Sequence, residues 1–330
     1  MIPVLDSGPV LAYVASMRII LNRGNGPAGL AVPLMVLAGV VGVAACSSTG
    51  PSSTPGGSGR VRVVAAENFW GSIARQVAGG DAEVTSIISN PDADPHDYEP
   101  TSHDARTIAS AQLVIENGIG YDPWAQQLLA VDQGPHRTVL DVGSVVGVPD
   151  GGNPHQWYSR ASVEKVIARV VADLETVDPT HRADYERNAR SYESKGLEEY
   201  SSLIARIRQQ YAGTPIGASE SIVAPLAETV GLKLLTPEPF LDAIAEGNEP
   251  TAHDKATTDA QIRDHRISVF VYNSQNSTPD VQRLVDAARA ARIPVATVTE
   301  TLTPASATFQ SWQVRQLRAL LHALDEARAR

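Results

Sequence analysis

From residue 61 onward, short β-branched and aliphatic runs alternate with segments whose apolar residues recur at helical spacing. Residues 61–66 read as a strand. Residues 68–78 read as a helix with Phe69, Ile73 and Val77 on one side, stopped by Gly79-Gly80. A strand at 84–88, a helix at 103–111, a strand at 113–116, a helix at 121–129 and a short strand at 139–141 continue the alternation. The helix at 162–174 carries Val163, Val166, Ile167, Val170 and Val171 as its stripe. Residues 179–211 form the longest helical candidate, opened by Pro179, which is tolerated in a first turn. As one helix it would reach about 50 Å at 1.5 Å per residue, whereas Gly196 marks a place where it could divide in two.

A second alternation follows, with strands at 215–218, 232–235, 269–272 and 295–298 and helices at 220–230, 254–265, 281–291 and 305–328. Between the second strand and the second helix, residues 237–254 read as a proline-rich loop able to reorder. Strands regularly separated by helices imply parallel sheets covered on both faces. The expected fold class is therefore α/β: two lobes, each a parallel or mostly parallel sheet flanked by helices, joined by one long backbone helix. Lobe boundaries fall at 61–177 and 212–330, with 178–211 as the linking helix and a cleft between the lobes.

The N-terminal pattern is different in kind. The apolar run at 29–45, 17 residues long, follows Arg18 and Arg23 and ends in Val43-Ala44-Ala45-Cys46. That is the architecture of an export signal with a small-residue cleavage site. It resembles a bacterial lipoprotein box, in which Cys46 becomes the lipid-bearing first residue. A membrane-spanning anchor is the competing reading, although the run is short for spanning. Residues 1–45 are accordingly expected to be the signal peptide, and a start at Met17 would give it an ordinary shape. Residues 46–60, rich in Ser, Gly and Pro, read as a disordered tether.

The chain has 330 residues, with 27 Lys+Arg against 37 Asp+Glu and a formal net charge of −10. No basic block stands out, which argues against nucleic acid as a partner. One cysteine excludes an intrachain disulfide and a thiolate metal cluster.

Two Pro-His pairs stand in loops that follow β regions. His96 lies among Pro91, Pro95 and Pro100, and His155 lies between a Gly-Gly-Asn-Pro run and Trp157. Each alone is an ordinary surface histidine as readily as a ligand. Glu220 and Glu300 each follow a strand of the second lobe, where ligands of parallel α/β folds bind. A helix-start acid and a solvated loop acid are the plain readings of these two. Taken together, the four fit a cleft with two imidazoles and two carboxylates. Glu67, just past the first strand, is a further acid expected either behind the ligands or at the site's rim. Glu99, His103 and His253 are rivals of lesser weight.

The stretches Ala93-Asp94-Pro95-His96-Asp97-Tyr98-Glu99-Pro100 and Asn153-Pro154-His155-Gln156-Trp157 resemble the substrate-binding lipoproteins of bacterial zinc and manganese ABC importers (solute-binding protein family 9, cluster A-I). Asp178-Pro179 with Tyr185, Asn188 and Tyr192, Ser219-Glu220 with Gly231-Leu232, and Thr299-Glu300-Thr301-Leu302 extend the likeness over residues 61–324. The resemblance implies that His96, His155, Glu220 and Glu300 bind one divalent ion. That ion, Zn2+ or Mn2+, would be a transported ligand and not a catalytic cofactor, with zinc ahead on intrinsic affinity. It implies a monomer anchored to the outer face of the cytoplasmic membrane through Cys46, serving a permease with its cytoplasmic ATPase. Departures concern the metal. Glu220 stands where many zinc relatives have histidine, Glu300 where manganese relatives often have aspartate, Ser159-Arg160 where an Asp-Pro pair is common, and a histidine-rich loop is missing.

Other classes fit less well. A zinc hydrolase needs an open metal position and a poised base, and the sequence has no His-Glu-x-x-His. A binder of an iron chelate, or a surface adhesin, on the same bilobed body is the alternative, and would tolerate loss of His96. The anchor is tested directly. Cys46→Ser should move the protein out of the membrane fraction or leave an unprocessed precursor, since two or three acyl chains hold stably where one does not. An unchanged distribution with the N-terminus intact would contradict it.

Overall fold

The computed structural model describes residues 59–91, 98–132, 134 and 136–330. The signal segment, Cys46 and His96 lie outside these residues, as does the tether up to Ser58. The N-lobe alternates β1 (Val61–Glu67), α1 (Asn68–Ala78), β2 (Ala82–Ile88), α2 (Ser102–Ala109), β3 (Leu113–Glu116), α3 (Pro123–Val131), β4 (Thr138–Asp141) and α4 (Val142–Val146). Its strands are all parallel, in the order β2-β1-β3-β4. β1 is nearly all apolar and buried on both faces, as a central parallel strand must be. α1 buries Phe69, Trp70, Ile73, Ala74 and Val77 against the sheet. Thr101 begins α2 with a reciprocal capping box to Asp104, and the Asp141 carboxylate caps α4 through Ser144 N.

A 3₁₀ turn at Gln156–Tyr158 leads into α5 (Arg160–Val177). The linking segment is helical but not uniform. A 3₁₀ turn (Pro179–His181) opens α6 (Arg182–Ser191), a π turn (Tyr192–Gly196) follows, and α7 (Glu198–Tyr211) completes it. Both expectations for this stretch are thus partly met: the path is nearly continuous, and its irregularity sits at Gly196. A β-carbon there would lie 2.6 Å from Tyr192 Cδ2, so the π turn folds the buried Tyr192 ring over a position only glycine leaves open. Tyr185, Ala189, Tyr192, Leu197, Tyr200, Leu203, Ile204, Ile207 and Tyr211 are buried along it.

The C-lobe comprises β5 (Pro215–Ala218), α8 (Val223–Val230), β6 (Lys233–Leu234), α9 (Glu238–Ala245), α10 (Ala252–Arg263), β7 (Val269–Asn273), α11 (Pro279–Ala290), β8 (Val295–Val298) and α12 (Phe309–Arg328). Its parallel order, β6-β5-β7-β8, repeats that of the N-lobe. In each sheet the order reverses between the first and third strands, which places a crevice at their carboxyl ends.

Three sequence expectations change here. The expected loop at 237–254 contains α9, whose Phe240, Leu241, Ile244 and Ala245 are buried as one face. Pro237 and Pro239 disguise it, yet both stand at the helix start, where a missing N–H costs nothing. α8 begins at Val223, not at 220, and leaves Glu220 in the turn before it. α12 begins only at Phe309, because Thr308 and Ser311 form a capping box there.

A single apolar core runs from Val63 and Phe69 in the N-lobe through Tyr158 and Ile207 to Phe270 and Leu317 in the C-lobe. A smaller cluster around Val64, Ile88 and Trp124 covers the other face of the N-lobe sheet. Buried hydrogen bonds join the lobes. Tyr158 Oη shares its one proton between Thr299 O at 2.8 Å and Gln316 Oε1 at 2.7 Å. Leu302 N donates to Asn68 Oδ1 at 3.1 Å, and Phe309 N to Ser72 Oγ at 2.9 Å. The junction at the base of the cleft is therefore built as interior, which disfavours a wide hinge.

Candidate metal centre

His155 is the N-lobe contribution. It stands at the head of the 3₁₀ turn, fully buried, with the Tyr121 and Trp157 rings edge-on to its imidazole at centroid distances of 6.0 and 5.2 Å. Asn153 Oδ1 accepts from His155 N at 3.0 Å and faces His155 Nδ1 at 2.9 Å. The Asn153 amide nitrogen donates to Ser221 O at 2.7 Å, which fixes the orientation of that side chain. An amide oxygen opposite Nδ1 selects the Nδ1–H tautomer and turns the Nε2 lone pair toward the centre, the usual arrangement of a metal-binding imidazole. Asn117 Nδ2 anchors the loop from behind through Pro154 O at 3.1 Å, and Trp70 Nε1 holds Asn117 Oδ1 at 2.9 Å.

Glu220 and Glu300 come from the carboxyl edge of the C-lobe sheet, two residues past β5 and β8, and are 0 % and 3 % exposed. Ligand atoms of His155, Glu220 and Glu300 all lie within 4.8 Å of one another. Asn273, the last residue of β7, sits between the two acids. Its Nδ2 donates to Glu220 Oε1 at 2.6 Å and to Glu300 Oε1 at 2.9 Å. Tyr121 Oη donates to Glu300 Oε2 at 2.7 Å, an N-lobe hydroxyl closing on a C-lobe acid. Gln275 Oε1 accepts from Glu300 N at 2.5 Å and Thr301 N at 3.0 Å, and its amide nitrogen reaches Pro91 O of the N-lobe.

Three of the four expected site residues, His155, Glu220 and Glu300, are thus brought together; His96 lies outside the described residues. The chain leaves β2 at Ile88, opposite Glu67 at the same sheet edge. Glu99, His103 and His253 are exposed and stand apart from the cluster. Of the two places expected for Glu67, behind the ligands or at the rim, its burial excludes the rim. It is fully buried beneath the surface, beside Asp122 and Glu116. Burial pushes its carboxyl well above the ordinary carboxylate range, and Asp122 and Glu116 add to that. Asp122 is pushed up to about 6 by burial, against which Asn117 N and Gly118 N donate at 2.7 and 2.8 Å. Asn153 stood in the sequence only as part of the Asn-Pro-His stretch, with no role assigned, and Tyr121, Asn273, Gln275 and Asn276 were missed; for the last three the available signal was the polar run that closes β7.

Between the lobes a cleft of about 790 Å³ opens onto His155, lined on one side by Ile119 and residues 151–154 and on the other by Ser221, Thr236 and the α9 face with Glu238, Asp242 and Glu246. Burial raises the Asp242 carboxyl, with Glu238 and Glu246 acting in the same direction.

A buried imidazole and two carboxylates converging where two parallel-sheet lobes meet define a binding protein for a cation, held between lobes. Comparison with known proteins agrees. Residues 63–323 match the family ZnuA, zinc-uptake complex component A, periplasmic, and the chain belongs to that family. It is an extracytoplasmic metal-binding protein of the ABC-importer type, and members of the family are solute-binding proteins and not catalysts. It is 26 % identical to the metal ABC transporter substrate-binding lipoprotein ScbA of Streptococcus cristatus, over 74 % of this chain and 82 % of that one. It is 27 % identical to the iron-binding protein YfeA of Yersinia pestis, over 64 % and 70 %. Its fold matches the manganese-bound S38A mutant of a periplasmic metal-binding protein from Candidatus Liberibacter asiaticus, with TM-score 0.69 and 22 % identity over 80 % of this chain and all of that one.

The N-lobe acids generate a pH prediction. Burial raises Glu116 from its ordinary 4.5 to about 8, with Asp122, Asp141 and Asp150 contributing. A carboxyl whose folded pKa is raised binds more protons folded than unfolded across that interval, so stability falls as pH rises from about 4.5 to about 8. Glu116→Gln, neutral throughout, should flatten the decline in denaturant midpoint of the metal-free protein. An undiminished slope would contradict the assignment.

Proposed function

We propose that this protein captures a single divalent transition-metal ion, Zn2+ or Mn2+, as cargo on His155, Glu220 and Glu300, with His96 completing the set, and delivers it to the permease of an ABC importer driven by a cytoplasmic ATPase. The observation that carries this reading is the buried convergence of one imidazole and two carboxylates within 4.8 Å. Two carboxylates match the charge of a dication, so the filled site buries little net charge where the two acids alone would repel. Neutral imidazole nitrogen and carboxylate oxygen suit zinc in four-coordination, and added carboxylate oxygens or waters would suit manganese.

In this reading residues 61–177 and 212–330 are the two metal-binding lobes and 178–211 the link, with the shared core limiting their relative rotation. Residues 1–45 are the export signal, Cys46 carries the lipid, and residues 46–60 let the protein reach its permease from the outer face of the membrane. Burial of His155, Glu220 and Glu300 supports a bare ion over an iron chelate, because the three side chains leave almost no surface for a larger ligand to touch.

Metal titrations of the variants test the ligands. His155→Ala, Glu220→Gln and Glu300→Gln should each weaken zinc binding by about 100-fold or more, beyond the 10–100-fold typical of losing an outer partner. Each should shrink the rise in melting temperature that zinc or manganese produces by mass action. Variants that bind and melt like the parent protein would contradict this ligand set.

A further inference from the structure

All four carboxylate oxygens of the C-lobe pair accept a hydrogen bond from a fixed donor. Asn273 Nδ2 ties one oxygen of Glu220 to one of Glu300, at 2.6 and 2.9 Å. Asn276 Nδ2 takes the second oxygen of Glu220 at 2.7 Å, and Tyr121 Oη the second oxygen of Glu300 at 2.7 Å. The donors are themselves anchored. Asn273 N donates to Ser219 Oγ at 3.1 Å, Asn273 Oδ1 accepts from Gln275 N at 3.0 Å, and Asn276 Nδ2 also donates to Ile244 O at 3.0 Å. Residues 273–276 are therefore one rigid polar turn at the carboxyl end of β7, built around the two acids.

Such a turn constrains how the acids meet a cation. A carboxylate that binds through both oxygens must face the ion squarely with both. A carboxylate that binds through one can keep its other oxygen on a donor. Rotating Glu220 to present both oxygens would pull it off Asn276 or off the amide it shares with Glu300, in a site too buried for water to replace the lost bond. A carboxylate held to one metal bond lowers the number of ligands the protein supplies. Zinc accepts four ligands of this kind, whereas manganese takes octahedral oxygen-rich surroundings.

We infer that the turn at residues 273–276 is the specificity-determining element of the site: it holds Glu220 and Glu300 to one metal bond each and so favours zinc over manganese. This rests on the reading of Glu220 and Glu300 as ligands. Asn273 and Asn276 act as positioning residues; they touch the acids and not the ion.

The test uses the full chain, solubilised in detergent and stripped of metal, titrated with zinc and with manganese against a chromophoric chelator. Asn276→Ala frees the second oxygen of Glu220, and Asn273→Ala frees one oxygen of each acid. In both, the ratio of zinc to manganese affinity should drop by about tenfold, the lower end of the range for outer partners, with manganese retained or tightened. X-ray absorption at the zinc edge of the unaltered protein should show four N/O ligands at about 2.0–2.1 Å, a readout that needs no variant to fold. A ratio unmoved in both variants, or five or more ligands to zinc in the unaltered protein, would overturn the inference. His155→Ala separates the two levels. If it abolishes zinc binding while the asparagine variants leave the ratio unmoved, the inference alone fails; if it binds zinc as the parent does, the ligand reading fails and takes the inference with it.

Discussion

Two carboxylates share one amide nitrogen in the interior of this protein, and the rest of the architecture serves to keep them there. Buried like charges at this spacing repel, and ordinarily one would take up a proton or swing into water. Asn273 Nδ2 offers each a hydrogen, Asn276 and Tyr121 offer two more, and a dication would complete the compensation. The site is therefore prepared for a cation by neutral donors, which hold the acids without occupying the charge balance that the ion must supply.

The fold provides the scaffold by using one strand order twice. In each sheet the order reverses between the first and third strands, and the side chains at their carboxyl ends face a crevice. In the C-lobe this brings Glu220 beside Asn273. In the N-lobe the corresponding strand ends carry Glu67 and Glu116, both buried. A core continuous through both lobes, with Tyr158 bonded to Thr299 and Gln316 across their junction, keeps the two halves of the site in register. Such a junction disfavours a large rotation of one lobe against the other.

Much of this was legible from the chain. Strands such as Leu113–Glu116, Pro215–Ala218 and Val295–Val298, and the helix Asn68–Ala78, follow from apolar periodicity and from Gly79-Gly80, because buried parallel strands and one-sided helices need those patterns. Glu220 and Glu300 could be singled out because each follows a strand whose end the pattern marked. The donors could not. Asn273 is a neutral residue at the end of a strand, and its meaning lies in two acids 53 and 27 residues away. α9 was hidden because Pro237 and Pro239 read as loop until their place in its first turn is known. The π turn at Tyr192–Gly196 had only Gly196 as its sign, and the sequence left Glu67 between a place behind the ligands and one at the rim, since burial of an acid is settled by neighbours such as Asp122 that are remote in sequence.

The most direct measurement is diffraction from crystals of the protein purified without added metal and then supplied with zinc, recorded on both sides of the zinc absorption edge. The account predicts one anomalous peak between the lobes, within about 2.0–2.2 Å of ligand atoms of His155, Glu220 and Glu300, with Asn273 still bridging the two acids. A peak held by a different set of side chains, or a zinc-loaded protein with no anomalous density between the lobes, would contradict it.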